Sequence, residues 1–132
     1  MIAAVIDTNI LVSAFWKSDS NPATVVSLML QGKITPCYDL RIIEEYREVL
    51  ARPKLRFDKQ RVNWLIGKII SVGIQVIVTP SEFFMIDETD RKFFDVAKYC
   101  NAYLITGNGK HYPQDSKIVN PANFLLMYST LR

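Results

Sequence analysis

Short, wholly apolar runs alternate along this chain with stretches whose apolar positions recur every three or four residues. Residues 2–6 carry no polar side chain and end at Asp7, which predicts a strand buried on both faces of a parallel sheet. Ile10 to Phe15 then reads as the start of a helix. Pro22 opens a helix through Leu30 that stops at Gly32. Residues 34–38 form a second short strand, and Asp39 is placed to cap a helix running to about Arg52, ended by Pro53. Asp58 caps another helix to about Val72, with Gly73 as its C-terminal signal. Residues 74–79 read as a third strand stopped by Pro80, residues 90–101 as a helix, and residues 102–106 and 117–120 as two more strands. Pro121 starts a last helix carrying Phe124, Leu125 and Tyr128. Strands alternating with helices predict an α/β fold of three layers: a central, mostly parallel sheet of four to five strands with helices on both faces.

The chain has 132 residues, about half of them hydrophobic, which suits a single domain over residues 1–132 with a real core and leaves no room for disorder. Lys, Arg or Asp interrupts every apolar stretch before it reaches membrane-spanning length. With no basic leader and cleavage site at the N-terminus, the expected location is cytoplasmic. Cys37 and Cys100, without Cys-x-x-Cys spacing, read as thiols and not as a disulfide or metal pair. The net charge of +3 permits a polyanionic partner without demanding one.

The acids carry the candidate chemistry. Asp7 stands where a buried strand gives way to a helix, at the carboxyl edge of the sheet, where open α/β folds bind ligands; taken alone it reads equally well as a helix cap. In the helix after Asp39, Ile42, Ile43, Tyr46, Val49 and Leu50 fall on one arc. Glu44 and Glu48 lie opposite it, and Glu45 sits at its margin, able to reach toward the sheet edge. In the helix from Asp90, the arc is Phe93, Phe94, Ala97 and Cys100. Asp90 begins that same stripe, Asp95 faces away, and Arg91 and Lys92 are polar groups available to solvent. A carboxylate at the head of an inward stripe is costly unless partnered, although a first-turn acid is also favoured by the helix dipole. Thr106-Gly107-Asn108-Gly109 puts small polar groups at a second strand end, where the alternative is a simple glycine turn. A parallel sheet makes Asp7, Glu45, Asp90 and Asn108 converge. Clustered carboxylates need cations or protons to coexist, and hard oxygen ligands without Cys or His suit Mg²⁺ or Mn²⁺.

Four segments in this order resemble the PIN-domain ribonucleases, in particular the small bacterial and archaeal toxin-type proteins. They are Val5-Ile-Asp7-Thr8-Asn9-Ile-Leu-Val-Ser13, Ile43-Glu44-Glu45-Tyr46 through Pro53, Asp87-x-x-Asp90-x-x-Phe93-x-x-x-Ala97, and Leu104-Ile-Thr106-Gly107-Asn108 through Pro113. The resemblance covers nearly the whole length. It implies a PIN-like fold, an acidic pocket of Asp7, Glu45 and Asp90, and support of those carboxylates by Asn9 and Thr106. Many PIN domains have Asp where this chain has Asn108; the neutral amide implies one metal ion, with a second left open, and Asp87 is a substitute ligand or a solvated loop acid. The implied reaction is metal-assisted hydrolysis of single-stranded or loop RNA, Asp7 and Asp90 holding the metal and Glu45 coordinating or positioning the attacking water. Lys54, Arg56, Lys59 and Arg61, interleaved with Phe57, offer a track for an RNA backbone or a solvated loop, and His111 could touch phosphate. The resemblance further implies a homodimer and a cognate antitoxin, with Trp16, Trp64 and Phe84 as apolar candidates for a dimer face. The alternatives are a catalytically silent PIN module that binds RNA or protein, and a phosphoacceptor signalling domain. An Asp-x-Asp phosphatase is excluded by Asn9.

Overall fold

The computed structural model describes residues 1–131. Five strands form one all-parallel sheet in the order β3-β2-β1-β4-β5: β1 is Ala3–Ile6, β2 Thr35–Tyr38, β3 Ile74–Gln75, β4 Tyr103–Ile105 and β5 Ile118–Val119. The helices are α1 Thr8–Trp16, α2 Asn21–Leu30, α3 Leu40–Leu50, α4 Lys59–Val72, α5 Arg91–Cys100 and α6 Pro121–Leu131. α1 to α4 pack on one another as the strands step outward from β1, and α5 packs across β1, β2 and β4 as the chain returns to pair β4 with β1. The strand order therefore reverses between β1 and β4, the place where α/β sheets open a crevice.

β1 is central and its residues Ala4, Val5 and Ile6 are buried, which explains its unbroken apolar run. Its register with β4 pairs Ile6 with Ile105, so Asp7 and Thr106 leave the sheet side by side. The Asp7 backbone N–H still donates to the Ile105 carbonyl at 3.0 Å. The last β1 carbonyl, that of Ile6, accepts from the hydroxyl of the fully buried Tyr46. That bond locks α3 against the strand end and carries Glu45, the preceding residue, to the crevice.

Two expectations need correction. β3 has two residues, not the six of positions 74–79. Its partner β2 ends at Tyr38, paired with Gln75, because Asp39 turns the chain into α3. Only the Val76 N–H continues the pairing, to the Tyr38 carbonyl, and Ile77 is 89% exposed. Asp95, expected to face away, is buried and accepts from the Ser81 backbone N–H at 3.0 Å, because the segment after β3 folds back over that side of α5. Arg91 donates to the Ser81 carbonyl and hydroxyl and fastens the same segment. Gly73 ends α4 as the sequence suggested, with a φ of −94°. Its need for glycine comes from close approach: an added Cβ would lie 2.6 Å from the Pro36 carbonyl oxygen.

Cys37 and Cys100 are both free thiols. Burial, with Cys100 nearby, pushes the Cys37 thiol up to about 12, which keeps it protonated and unreactive. Among the described residues no helix is long and apolar enough to cross a membrane.

Candidate active site

Four aspartates, Asp7, Asp39, Asp58 and Asp90, occupy the N-cap position of an α-helix, and they divide into two kinds. Asp39 accepts from the Ile42 N–H at 3.0 Å and Asp58 from the Arg61 N–H at 3.2 Å, the ordinary use of this residue at this position. Asp7 and Asp90 make no such bond at the starts of α1 and α5. The Asp7 carboxylate turns instead to Thr106 at the end of β4, and the Asp90 carboxylate lies beside His111. The choice left open by the sequence, cap or ligand edge, is decided by geometry against the cap.

Asp7 is buried, and its Oδ2 accepts from Thr106 Oγ1 at 2.7 Å and from the Tyr112 hydroxyl at 3.1 Å. Both donors lie on one oxygen. Thr106 Oγ1 also accepts from the Asn108 N–H at 3.0 Å, so the loop after β4 is tied to the acid through one hydroxyl. Burial above all, and the neighbouring charge of Glu45, raise the Asp7 carboxyl above its ordinary value against these two donors. Asp90 is raised as well, by burial and then by the charges of Asp7 and Asp87. Its Oδ2 is buried without a hydrogen-bond partner and stands 3.5 Å from His111 Nδ1. Two mutually repelling carboxylates, one with an orphaned buried oxygen, are a donor set that a hard divalent cation fits.

Glu45 is placed differently. Its Oε1 lies 2.7 Å from Lys92 Nζ and its Oε2 accepts from the Thr8 hydroxyl. Lys92, read from the sequence as available to solvent, has a side chain only 14% exposed. Among the described residues no group of three His, Cys, Asp or Glu side chains is gathered at ligating distance. The third carboxylate is present but engaged.

The remaining sequence candidates divide the same way. Asn9, expected to support the carboxylates, accepts from the Gly107 N–H at 3.3 Å and so braces the β4 loop. Asn108 is exposed, and its backbone, not its amide, joins the network. Asp87 bonds Thr89 in its own turn, as a loop acid does. Lys54, Arg56, Lys59 and Arg61 are exposed at the start of α4, and the Arg61 guanidinium lies 5.8 Å from the centre of the Phe15 ring. Phe57 is not free between them: it stacks on Phe15 at 4.8 Å and meets Trp16 edge-on. Trp16 and Trp64 beside it are 67% and 60% exposed.

Sequence reasoning missed Tyr112, Thr8, Lys92 and Tyr46. Thr8 and Lys92 had a usable signal, each lying within two residues of a pocket acid, and Tyr46 follows Glu45. Tyr112 had none, since its approach depends on the short turn Gly109–His111.

A sheet of this order with paired acids at its switch point defines a class, and comparison identifies it. A model of the PIN domain matches residues 3–110, and the chain belongs to the PIN-domain family. PIN domains are generally nucleases and typically use divalent metals. The chain is also 32% identical over 111 residues to the uncharacterized protein MJ1680 of Methanocaldococcus jannaschii, covering 81% of this chain and 71% of that protein. The matched residues include Asp7, Glu45, Asp90 and Asn108 and stop just short of His111 and Tyr112.

Proposed function

We propose that this protein is a metal-dependent endoribonuclease that hydrolyses phosphodiester bonds in single-stranded RNA. One observation carries the reading: neither Asp7 nor Asp90 makes a helix-cap bond, the charge of Asp7 is felt at Asp90, and Asp90 keeps a buried oxygen unpartnered. Asp7 and Asp90 would hold one Mg²⁺ or Mn²⁺, which when bound neutralises phosphoryl charge and lowers the pKa of water. Thr106 and Tyr112 keep Asp7 oriented. Glu45, held by Lys92 and Thr8 at the pocket wall, serves to position the attacking water and take its proton. His111, beside Asp90 and partly exposed, would donate to a phosphate oxygen.

Tyr112→Phe removes one of the two donors to Asp7 Oδ2 and leaves the ring in place. Mn²⁺ affinity, read by calorimetry, is expected to fall about tenfold, the usual effect of losing a group that orients a metal ligand.

Phe57 and Trp16 sit at the far end of α1, about 14 Å along its axis from Asp7 at 1.5 Å per residue. The exposed Trp16 ring and the guanidinium groups near that distance suit a single strand leaving the pocket, with bases stacking and phosphates paired. Arg56→Ala with Arg61→Ala is expected to weaken RNA binding and to flatten its dependence on log salt by roughly 1.4, two phosphate contacts on single-stranded nucleic acid. An unchanged slope would remove the track.

The toxin role, the homodimer, the antitoxin and the cytoplasmic location are part of the same proposal and rest on the resemblance to toxin-type PIN proteins. Trp16, Trp64 and Phe84 supply exposed apolar surface for such contacts.

The chemistry is tested on the products. Attack by water leaves no 2′,3′-cyclic phosphate and does not need the 2′-hydroxyl, so 2′-O-methyl RNA is expected to be cut. Cyclic phosphate ends would show attack by the RNA's own hydroxyl and overturn the mechanism.

A further inference from the structure

Lys92 is a cation set among the acids of the pocket, and the ribonuclease reading above leaves its effect on the metal open. Its neighbours on α5 behave otherwise: Arg91 pairs with Glu88 and Ser81, and Lys98 pairs with Asp115 through a side chain 55% exposed. Lys92 Nζ instead lies 2.7 Å from Glu45 Oε1, donates to the Thr89 carbonyl, and sits 5.1 Å from the Phe93 ring centre. With Thr8 on the other oxygen, Glu45 is held from both sides. An ion pair of this kind, with side chains 14% and 23% exposed, is little screened by water.

We propose that Lys92 is a positioning residue that acts as a built-in second cation: it withholds Glu45 from the metal and limits the pocket to one divalent ion. The inference rests on the reading of the pocket as a metal site. Charge supports it. Asp7, Glu45 and Asp90 with the Lys92 ammonium leave two negative charges when the acids are ionised, the complement of one divalent ion. Geometry supports it independently, because Lys92 engages one Glu45 oxygen at 2.7 Å and Thr8 the other, so a metal would have to compete with one of them for Glu45. A cation tethered beside the water-positioning carboxylate also remains when metal is scarce. Glu45 then keeps its orientation whether or not the ion is bound.

The test is Mn²⁺ binding to the metal-free protein, measured by calorimetry. Wild type is expected to bind one ion, and Asp7→Asn to lose it. Lys92→Met frees Glu45 and is expected to bind a second ion or to hold the first at least about tenfold tighter, the direction opposite to damage of the fold. Lys92→Arg keeps the charge and is expected to behave as wild type. Lys92→Met combined with Glu45→Gln is expected to lose the gain. If Lys92→Met does not fold, Lys92→Gln, whose amide can still donate to the Thr89 carbonyl, carries the same expectation. Wild-type binding that depends on Asp7, with number and affinity unchanged or weaker in the Lys92 variants, overturns the inference and leaves the metal site standing. Absence of any Asp7-dependent binding in wild type overturns both.

Discussion

Asp7→Asn is expected to reduce RNA cleavage at least about a thousandfold, since several kcal/mol of metal-borne stabilisation would go with the ligand, and at the same time to make the metal-free protein more stable. The fold tolerates the change: the Asn oxygen can accept from Thr106 and Tyr112 as Asp7 Oδ2 does, and no cap is lost. The gain follows from the raised carboxyl. Burial is its main cause, and the unfolded chain ionises near the model value of 3.8 while the folded chain holds its proton to higher pH. Protonated Asp7 therefore contributes stability that is complete below 3.8 and is lost as pH rises through the folded value. Above both values the wild type carries the full cost of a buried charge and the variant carries none. In EDTA at pH 7 the variant should melt higher, by about 3 to 5 °C for each kcal/mol relieved; at pH 3 the two should coincide. Mn²⁺ should raise the melting temperature of wild type alone. A variant as active as wild type would remove Asp7 from the site.

Gly73→Ala is expected to destabilise the protein by about 2 to 3 kcal/mol, roughly 10 °C in melting temperature, although its backbone angles suit any residue. The new methyl would lie 2.6 Å from the Pro36 carbonyl oxygen, 2.7 Å from that of Ile69 and 2.9 Å from Tyr38 Cε1. Two of the three are backbone atoms, fixed by β2 and α4, so the clash cannot be relieved by turning a side chain. Gly67, in the exposed middle of α4, meets nothing within 4 Å of an added Cβ. Gly67→Ala should stabilise by about 0.5 to 1 kcal/mol through helix propensity. Urea unfolding of both variants checks a contrast of sign between two chemically identical changes. Equal effects would remove the packing argument.

The two glycines show what the sequence could reveal and what it could not. Gly73 marked a helix end correctly, but the reason lay in the neighbouring strand, beyond the reach of local pattern. The parallel sheet was legible because residues 2–6 and their counterparts are apolar throughout and are separated by helical periodicity. β3 was overestimated because residues 76–79 have strand-like composition, while their length is set by where β2 ends. Asp7, Glu45 and Asp90 stood out through their places relative to an apolar run or arc, and those places depend on period alone. Whether Asp7 capped its helix depended on Thr106 and Tyr112, contacts made across many residues of chain. Lys92 was misplaced for the same reason: its partner is on another helix, 47 positions earlier, and a helix-face argument sends an unpartnered lysine to water. Asp95 was misplaced because the chain around Ser81, which covers it, has no regular structure to predict.

Incubation of the purified chain with a labelled mixed pool of single-stranded RNA, in Mn²⁺, in Mg²⁺ and in EDTA, tests the central claim most directly. The account predicts cleavage with a divalent ion, none in EDTA, and none by Asp7→Asn in any condition. Cleavage that persists in EDTA, or a folded wild type that cuts no RNA with either ion, would contradict it.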